Sequence, residues 1–570
     1  MFYPLHNLAL LGELTYGDGQ MLTDELEYKQ QPRASYEMGG GYAMMRYSHK
    51  KPHIIFLVLD THRVERMSVY GYKKDTTPSL GEFAEGATVF DWAIAPAPWT
   101  VPSHASMFTG LYPTVHQTTQ SFTALPKNIP TLAEILAQNG YETVGFCNNP
   151  LVGVLDNGLK RGFNRFYNYS GTIPDIPRIG DPTAMKRLQL WLNETLQRVT
   201  VPIERQFGQS PLLLKLATMP IFVPIWSRTF NFKGNTKRSL SDIVQYIRYH
   251  FSTQPEKPLF MFINMMETHL PYYPPKNIID KWVPYFKKDS EARAFIQKFN
   301  TESYRWMAPM IEPFTEMQHT VLSDMYDAEV AYLDRQLRRL LRYLKRSGQA
   351  ENTMVIVVSD HGESIGEHEF MGHAFVIYNE LVRVPFFIRY PAMFPAGKRV
   401  GHNISTRRIF HTVLEAAGID FEAYGQRASE LSLARAVEGA DKEPEDELVV
   451  AEAYPPENVI NVMEMTHPEA VERFRVRKMR RAIYRGNKKL MMVGGQPDEF
   501  FDVHNDPFET VNLLDNPFGY ENDILQLQKQ MEEFVIMAEA HRDGVAPAGR
   551  IDYSDNPQLL ERLRGLGYIE

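Results

Sequence analysis

Residues 53–59, H-I-I-F-L-V-L, form an unbroken apolar run that stops at Asp60. A run without alternation leaves no face for water, so it reads as a strand covered on both sides. The pattern recurs. Met354–Ser359 reads M-V-I-V-V-S before Asp360-His361-Gly362, Val384–Arg389 is a further strand, and Leu259–Asn264 is another apolar run. Pro130–Gly140 has helical spacing, with Pro at its start and Gly at its stop, and a strand follows over Tyr141–Phe146. Strands alternating with helices imply an α/β fold, a mostly parallel sheet flanked by helices.

The chain has 570 residues, more than one ordinary core accommodates. Residues 1–50 are rich in Gly, Tyr and Met without a period and read as a leader or surface strap. The main α/β domain is expected over 51–446, with a helical insertion at about 165–250 roofing the pocket. After Gly401, Ile404–Ile419 reads as a helix covering the core. Residues 447–570 are expected to be a smaller C-terminal α+β subdomain and tail. That unit carries a hairpin signal at Ala482–Val493, around Gly486-Asn487, and an amphipathic helix near 523–538.

A hydrophobic fraction of 44% and a charged fraction of 23% are ordinary for a globular protein. A net charge of −8 argues against nucleic acid as a partner. The single cysteine, Cys147, excludes an intrachain disulfide framework. The first residues lack a basic stretch and a signal-peptide core, and no long uncharged apolar run suits a membrane span, so a cytoplasmic location is expected. Residues 211–226 come nearest, but Lys215, Pro220 and Pro224 interrupt them; membrane contact there is the lesser reading. Oligomeric state is open.

Asp60 and Asp360-His361 each follow directly on a buried strand. Ligands of such sheets bind at the carboxyl ends of the strands, so two carboxylates and an imidazole outline a metal site there. Taken alone, Asp60 reads better as a turn or helix-capping residue; its order with Thr100 and Asp360-His361 shifts the reading to a ligand. Thr100 precedes P-S-H-A-S, a helix start whose N–H groups suit an anion. Asn148 and Asn149 follow a strand and either hydrogen-bond that anion or cap the loop.

Residues 99–113, W-T-V-P-S-H-A-S-M-F-T-G-L-Y-P, resemble the sulfatase signature C/S-x-P-S-R-x-x-x-x-T-G in register. V-L-D-T-H-R at 58–63 and S-D-H-G-E at 359–363 resemble the metal motifs of that family. M-E-T-H-L-P-Y at 266–272 resembles its D-x-H-x-P-Y, and the tail resembles its hairpin, D-P-x-E-x-x-N-L, helix order. The resemblance spans about 52–536. It implies the sulfatase-like fold of the alkaline phosphatase superfamily, with one divalent cation held by Asp60, Asp360, His361 and the Thr100 oxygen.

Thr100 then falls on the catalytic Cys or Ser and His104 on the signature Arg, as a neighbour of the nucleophile. His269 takes the general-acid role or contacts a non-bridging oxygen; packing beside Tyr272 and Tyr273 is nearly as good a reading. His373 and Asn149 join His269 as substrate contacts, with His368 a weaker candidate, and His269 and His373 are expected to face the cation across an open cleft. The chain departs from the family at three places. Thr100 is not a recognised precursor of formylglycine, so none is expected. Thr61 stands where many members have a second Asp, and His361 where many have Asn. An imidazole among the ligands favours Mn²⁺ or Zn²⁺ over Ca²⁺ and leaves Mg²⁺ open. The expected activity is metal-dependent hydrolysis or transfer of a phosphate or sulfate ester through Thr100, on a small molecule, a glycan or a lipid head group. The alternatives are a sulfuric ester hydrolase without formylglycine and an inactive binding protein.

Overall fold

A computed structural model describes residues 50–170, 175, 177, 179, 233–301, 309–310, 312–423, 426–439 and 449–551. The expectations for 1–49, for the apolar segment 211–226 and for a roof over the pocket fall outside these residues.

The central sheet has eight strands: β1 His53–Leu59, β2 Thr88–Ile94, β3 Glu142–Cys147, β4 Arg165–Asn168, β5 Leu259–Met265, β6 Thr353–Val358, β7 Arg383–Arg389 and β8 Arg399–Ser405. Their order is β8-β2-β7-β6-β1-β5-β3-β4. Strand β1 lies at the centre, parallel to both β5 and β6. Strand β7 runs against both of its neighbours. Successive side chains of β1 point to opposite faces, and both faces are covered. Ile54, Phe56 and Val58 enter one core, Ile55, Leu57 and Leu59 the other. This is why the run shows no alternation in sequence.

Among the described helices are α1 Thr100–Thr109, α2 Leu132–Gln138, α3 Thr236–Thr253, α4 Glu316–Arg346, α5 Ile409–Ala416 and α6 Glu521–Asp543. Thr131 caps α2 in a capping box with Glu134. Helix α3 corrects the expected insertion. Its Leu240, Ile243, Val244 and Ile247 pack on the sheet with Met261 and Ile263 of β5, so 236–253 belongs to the main layer. The segment after Gly401 is also shorter in helix than expected, because residues 399–405 form edge strand β8 before α5 begins.

A four-stranded antiparallel sheet follows: β9 Val449–Ala453, β10 Arg480–Arg485, β11 Lys488–Val493 and β12 Gln496–Asp502. Strands β10 and β11 form the hairpin expected around Gly486. The unit shares a core with the main domain, since Val450, Leu490 and Phe534 cluster with Tyr112 and Phe410.

Candidate active site

Asp60 extends β1 by one residue, its N–H donating to the Met265 carbonyl of β5 at 2.8 Å. Asp360 and His361 sit two and three residues beyond the end of β6, the strand on the other side of β1. Neighbouring parallel strands end at the same edge, so the three side chains converge. One donor atom from each lies within 4.8 Å of the others, and all three residues are fully buried. Thr100 opens α1, and its Oγ1 lies 3.3 Å from His361 Nε2. The four ligand residues named from sequence are thus brought together.

Hydrogen bonds aim each group. His361 Nδ1 faces the Gly362 carbonyl at 2.8 Å, which puts the N–H there and leaves Nε2 with its lone pair towards the site. Asp360 Oδ1 accepts from the backbone N–H of Thr61 at 3.2 Å and of His361 at 3.0 Å. Asp60 Oδ2 accepts from Asn149 Nδ2 at 2.7 Å and from Asn264 Nδ2 at 3.2 Å. The remaining oxygens, Asp60 Oδ1 and Asp360 Oδ2, are buried with no hydrogen-bond partner. Buried carboxylate oxygens left bare are costly, and the donor set of these residues suits a divalent cation. Without one, burial and then the charge of Asp360 push Asp60 up to about 8, and burial pushes Asp360 up to about 7.

Thr61, standing where a second carboxylate was looked for, is a β-branched residue at φ 57°. That left-handed backbone is strained, and it turns the chain so that the Thr61 N–H meets Asp360. Its Oγ1 donates to the Asp60 carbonyl and its own carbonyl accepts from Tyr326 Oη, both at 2.7 Å.

Of the two readings of Asn149, anion contact or loop cap, the hydrogen bonds match the cap: its Oδ1 accepts from Leu151 N–H at 2.8 Å, while its Nδ2 donates to Asp60. His104 is one helical turn beyond Thr100 and fully buried. Its Nδ1 bonds the Thr100 carbonyl at 2.9 Å and its Nε2 lies 3.5 Å from Asn264, so it neighbours Thr100 through the backbone. His269 and His373 do gather on the site, with ring centroids 4.9 Å apart and His373 4.6 Å from His361. They are buried, however, and not set across an open cleft. His368 points elsewhere, stacking on Tyr378 beside Glu380 and Glu509 at the junction with the C-terminal unit.

Burial lowers both site histidines to about 3, with His373 adding to the effect on His269. His373 Nδ1 contacts Glu363 Oε1 at 2.7 Å, whereas His269 Nδ1 faces the Leu270 carbonyl at 2.6 Å. Glu363 and Asn264 were given no role from sequence. Asn264 ends an apolar run as Asp60 does, and that interruption was the available signal.

The family model described as Sulfatase matches residues 52–419. The chain belongs to the sulfatase family. That makes it a sulfatase-like ester hydrolase. It is 22% identical to the Delta 4,5-hexuronate-2-O-sulfatase of Bacteroides thetaiotaomicron, over 82% of this chain and 86% of that protein. It is 24% identical to an N-acetylglucosamine-6-O-sulfatase of the same organism, over 70% and 73%. Among solved structures, the phosphonate monoester hydrolase of Agrobacterium radiobacter superposes with a TM-score of 0.59 at 19% identity, over 86% of this chain and 96% of that one.

Proposed function

We propose that this sulfatase-family member cleaves phosphate or sulfate esters with the Thr100 hydroxyl as nucleophile. The observation that carries the reading is the approach of Thr100 Oγ1 to His361 Nε2, beside two buried carboxylate oxygens that lack partners. Asp60, Asp360 and His361 would hold a divalent cation, which would supply charge neutralisation and a lowered hydroxyl pKa. The mixed oxygen and nitrogen donor set suits Mn²⁺ or Zn²⁺ better than Ca²⁺.

Thr100 sits in the first turn of α1, so the free N–H groups of that turn favour an anionic group in front of it. Thr100 gives up its proton to water, its oxygen bonds phosphorus or sulfur, and the ester bond to the leaving oxygen breaks. That oxygen needs a proton. His373 is the better donor of the two histidines, because the Glu363 carboxylate on its Nδ1 stabilises an imidazolium. The bound anion raises the imidazole pKa in the same direction. His269 then contacts a non-bridging oxygen. Water, or another hydroxyl, releases the group from Thr100. The sulfated sugars named for the relatives support a glycan ester as substrate.

The test is a panel of aryl phosphate, phosphodiester, phosphonate and sulfate esters, with and without Mn²⁺. Acid-quenched reactions are read by mass spectrometry for a phosphate or sulfate on Thr100. Thr100→Ala is expected to lose the adduct and to drop turnover by orders of magnitude, with stability changed by no more than about 1 kcal/mol. Full turnover in Thr100→Ala would end the proposal.

A further inference from the structure

The junction between the main domain and the C-terminal unit holds a second group of metal-ligating side chains. His368 and Glu380 come from the main domain and Glu509 from the loop after β12, and one donor atom from each lies within 4.8 Å of the others. All three line a cavity of about 400 Å³, together with Arg63, Glu367 and Glu499. None of the three takes part in the ester chemistry at Thr100.

Two of these donors are unspent. Glu380 is 6% exposed, and its Oε1 accepts from Ser364 Oγ at 3.0 Å. Among the other described residues, the polar group facing its Oε2 is His368 Nε2 at 3.8 Å, beyond hydrogen-bond reach. The His368 ring stacks flat on Tyr378, with centroids 3.6 Å apart and planes at 8°. Stacking occupies the face of the imidazole and leaves its in-plane nitrogens for a ligand. Glu509 is 3% exposed and accepts from Lys489 on one oxygen and from the Asn379 N–H on the other, which leaves a further lone pair on each. The cations nearby are committed: Arg63 pairs with Glu65 and Glu367, and Lys489 with Glu509. No described Lys or Arg pairs with Glu380, and burial, then the charge of Glu367, pushes its carboxyl up to about 7. Burial also lowers His368, which keeps the imidazole in the neutral form that binds metals.

We infer that His368, Glu380 and Glu509 bind a Zn²⁺ ion that ties the C-terminal unit to the main domain. One imidazole and two carboxylates, with water from the cavity as a fourth ligand, suit Zn²⁺, whereas Ca²⁺ takes more oxygens and no nitrogen. The ion supplies the positive charge that Glu380 lacks and uses the bare imidazole nitrogen at once. Protonation of His368 would pair it with Glu380 without any ion, and the experiment separates the two. The site stands apart from Asp60, Asp360 and His361, so it holds whether or not Thr100 is a nucleophile.

Location and affinity are tested separately, with Zn²⁺ alone as the probe. Crystals of the full chain soaked in zinc chloride are measured at the zinc absorption edge, and an anomalous peak is expected between His368, Glu380 and Glu509. In solution, calorimetric titration compares wild type with Glu380→Gln and His368→Asn. Glutamine keeps the shape of Glu380 and removes its charge. Asparagine is too short to reach the ion but tolerates the left-handed backbone of His368, at φ 51°, so the turn is kept. Each variant, folded by circular dichroism, is expected to bind one equivalent fewer of Zn²⁺ than wild type, or to hold that equivalent about 100-fold or more weakly. That equivalent is also expected to raise the melting temperature of wild type and not of the variants. No peak at the three residues would overturn the inference, as would a variant that keeps wild-type Zn²⁺ stoichiometry and affinity. A peak in soaked crystals beside equal solution binding in all three proteins would mean binding at crystal concentration only, and would overturn it too.

Discussion

Asp60 shows how much of this site depends on single side chains. It is fully buried, and one of its oxygens is held by two asparagine amides from different strand ends. Removing one of these donors in Asn264→Ala should cost about 1–2 kcal/mol in stability. It should also weaken Mn²⁺ binding by roughly 10- to 100-fold, because the carboxylate loses its aim. Calorimetric titration with Mn²⁺ checks this, and unchanged affinity would mean that Asp60 is not a ligand. A pH effect follows from the same burial. Asp60 and Asp360 are raised to about 8 and about 7 in the folded protein, chiefly by burial, so between the ordinary carboxylate range and those values the folded state binds more protons than the unfolded one. Stability from that source is complete below the ordinary carboxylate range, declines as pH rises from there and is gone once pH passes the raised values. Melting of metal-free protein should therefore shift to lower temperature between about pH 4 and about pH 8 and level off above, and Mn²⁺ should reverse the shift most at the alkaline end. A flat profile that metal leaves untouched would contradict the paired carboxylates.

Hairpin β10–β11 is the element that ties the C-terminal unit to the site. Lys489 of β11 and Glu509 form a fully buried ion pair at 2.5 Å. Lys489 also donates to the Ile377 carbonyl at 2.6 Å, and Glu509 accepts from the Asn379 N–H. Ile377 and Asn379 lie just after His373, so the pair fixes the far end of the segment that carries that histidine. Lys489→Met leaves Glu509 charged and buried alone, and should destabilise by about 3–5 kcal/mol in denaturant titration. A change below about 1 kcal/mol would show that the pair contributes little beyond packing.

Across the whole molecule, the two sheets are not separable pieces. Glu452 of β9 accepts from the backbone N–H of Thr114 at 2.9 Å and from Arg481 at 2.9 Å, and Phe534 of α6 meets Tyr112 edge to face. Ending the chain at residue 446 would strip Leu490, Phe500, Met531 and Phe534 from the core they share with Phe410 and Tyr112. The truncated chain should aggregate or show a non-cooperative melt, because a large apolar face would meet water. A soluble, cooperatively folding fragment with retained ester turnover would contradict this.

Local sequence determined the central strands, because burial on both faces forces an unbroken apolar run and a polar residue marks its end. That is why β1 and β6, and with them Asp60, Asp360 and His361, were legible, as were α2, the β10–β11 hairpin and α6. Edge strand β8 was not, since a strand with partners on one side tolerates the Gly401, His402 and Asn403 that interrupt its pattern. Strand β2 has partners on both sides and escaped notice because Asp91 breaks its apolar run. The site was legible as a set of ligands but not as a set of bonds. Only the tertiary structure put Asn149 on Asp60, brought in Asn264 and Glu363, and buried His269 and His373. Those outcomes depend on which strand ends lie side by side and on which donors are left over there. No local pattern encodes either, because the partners are far apart along the chain.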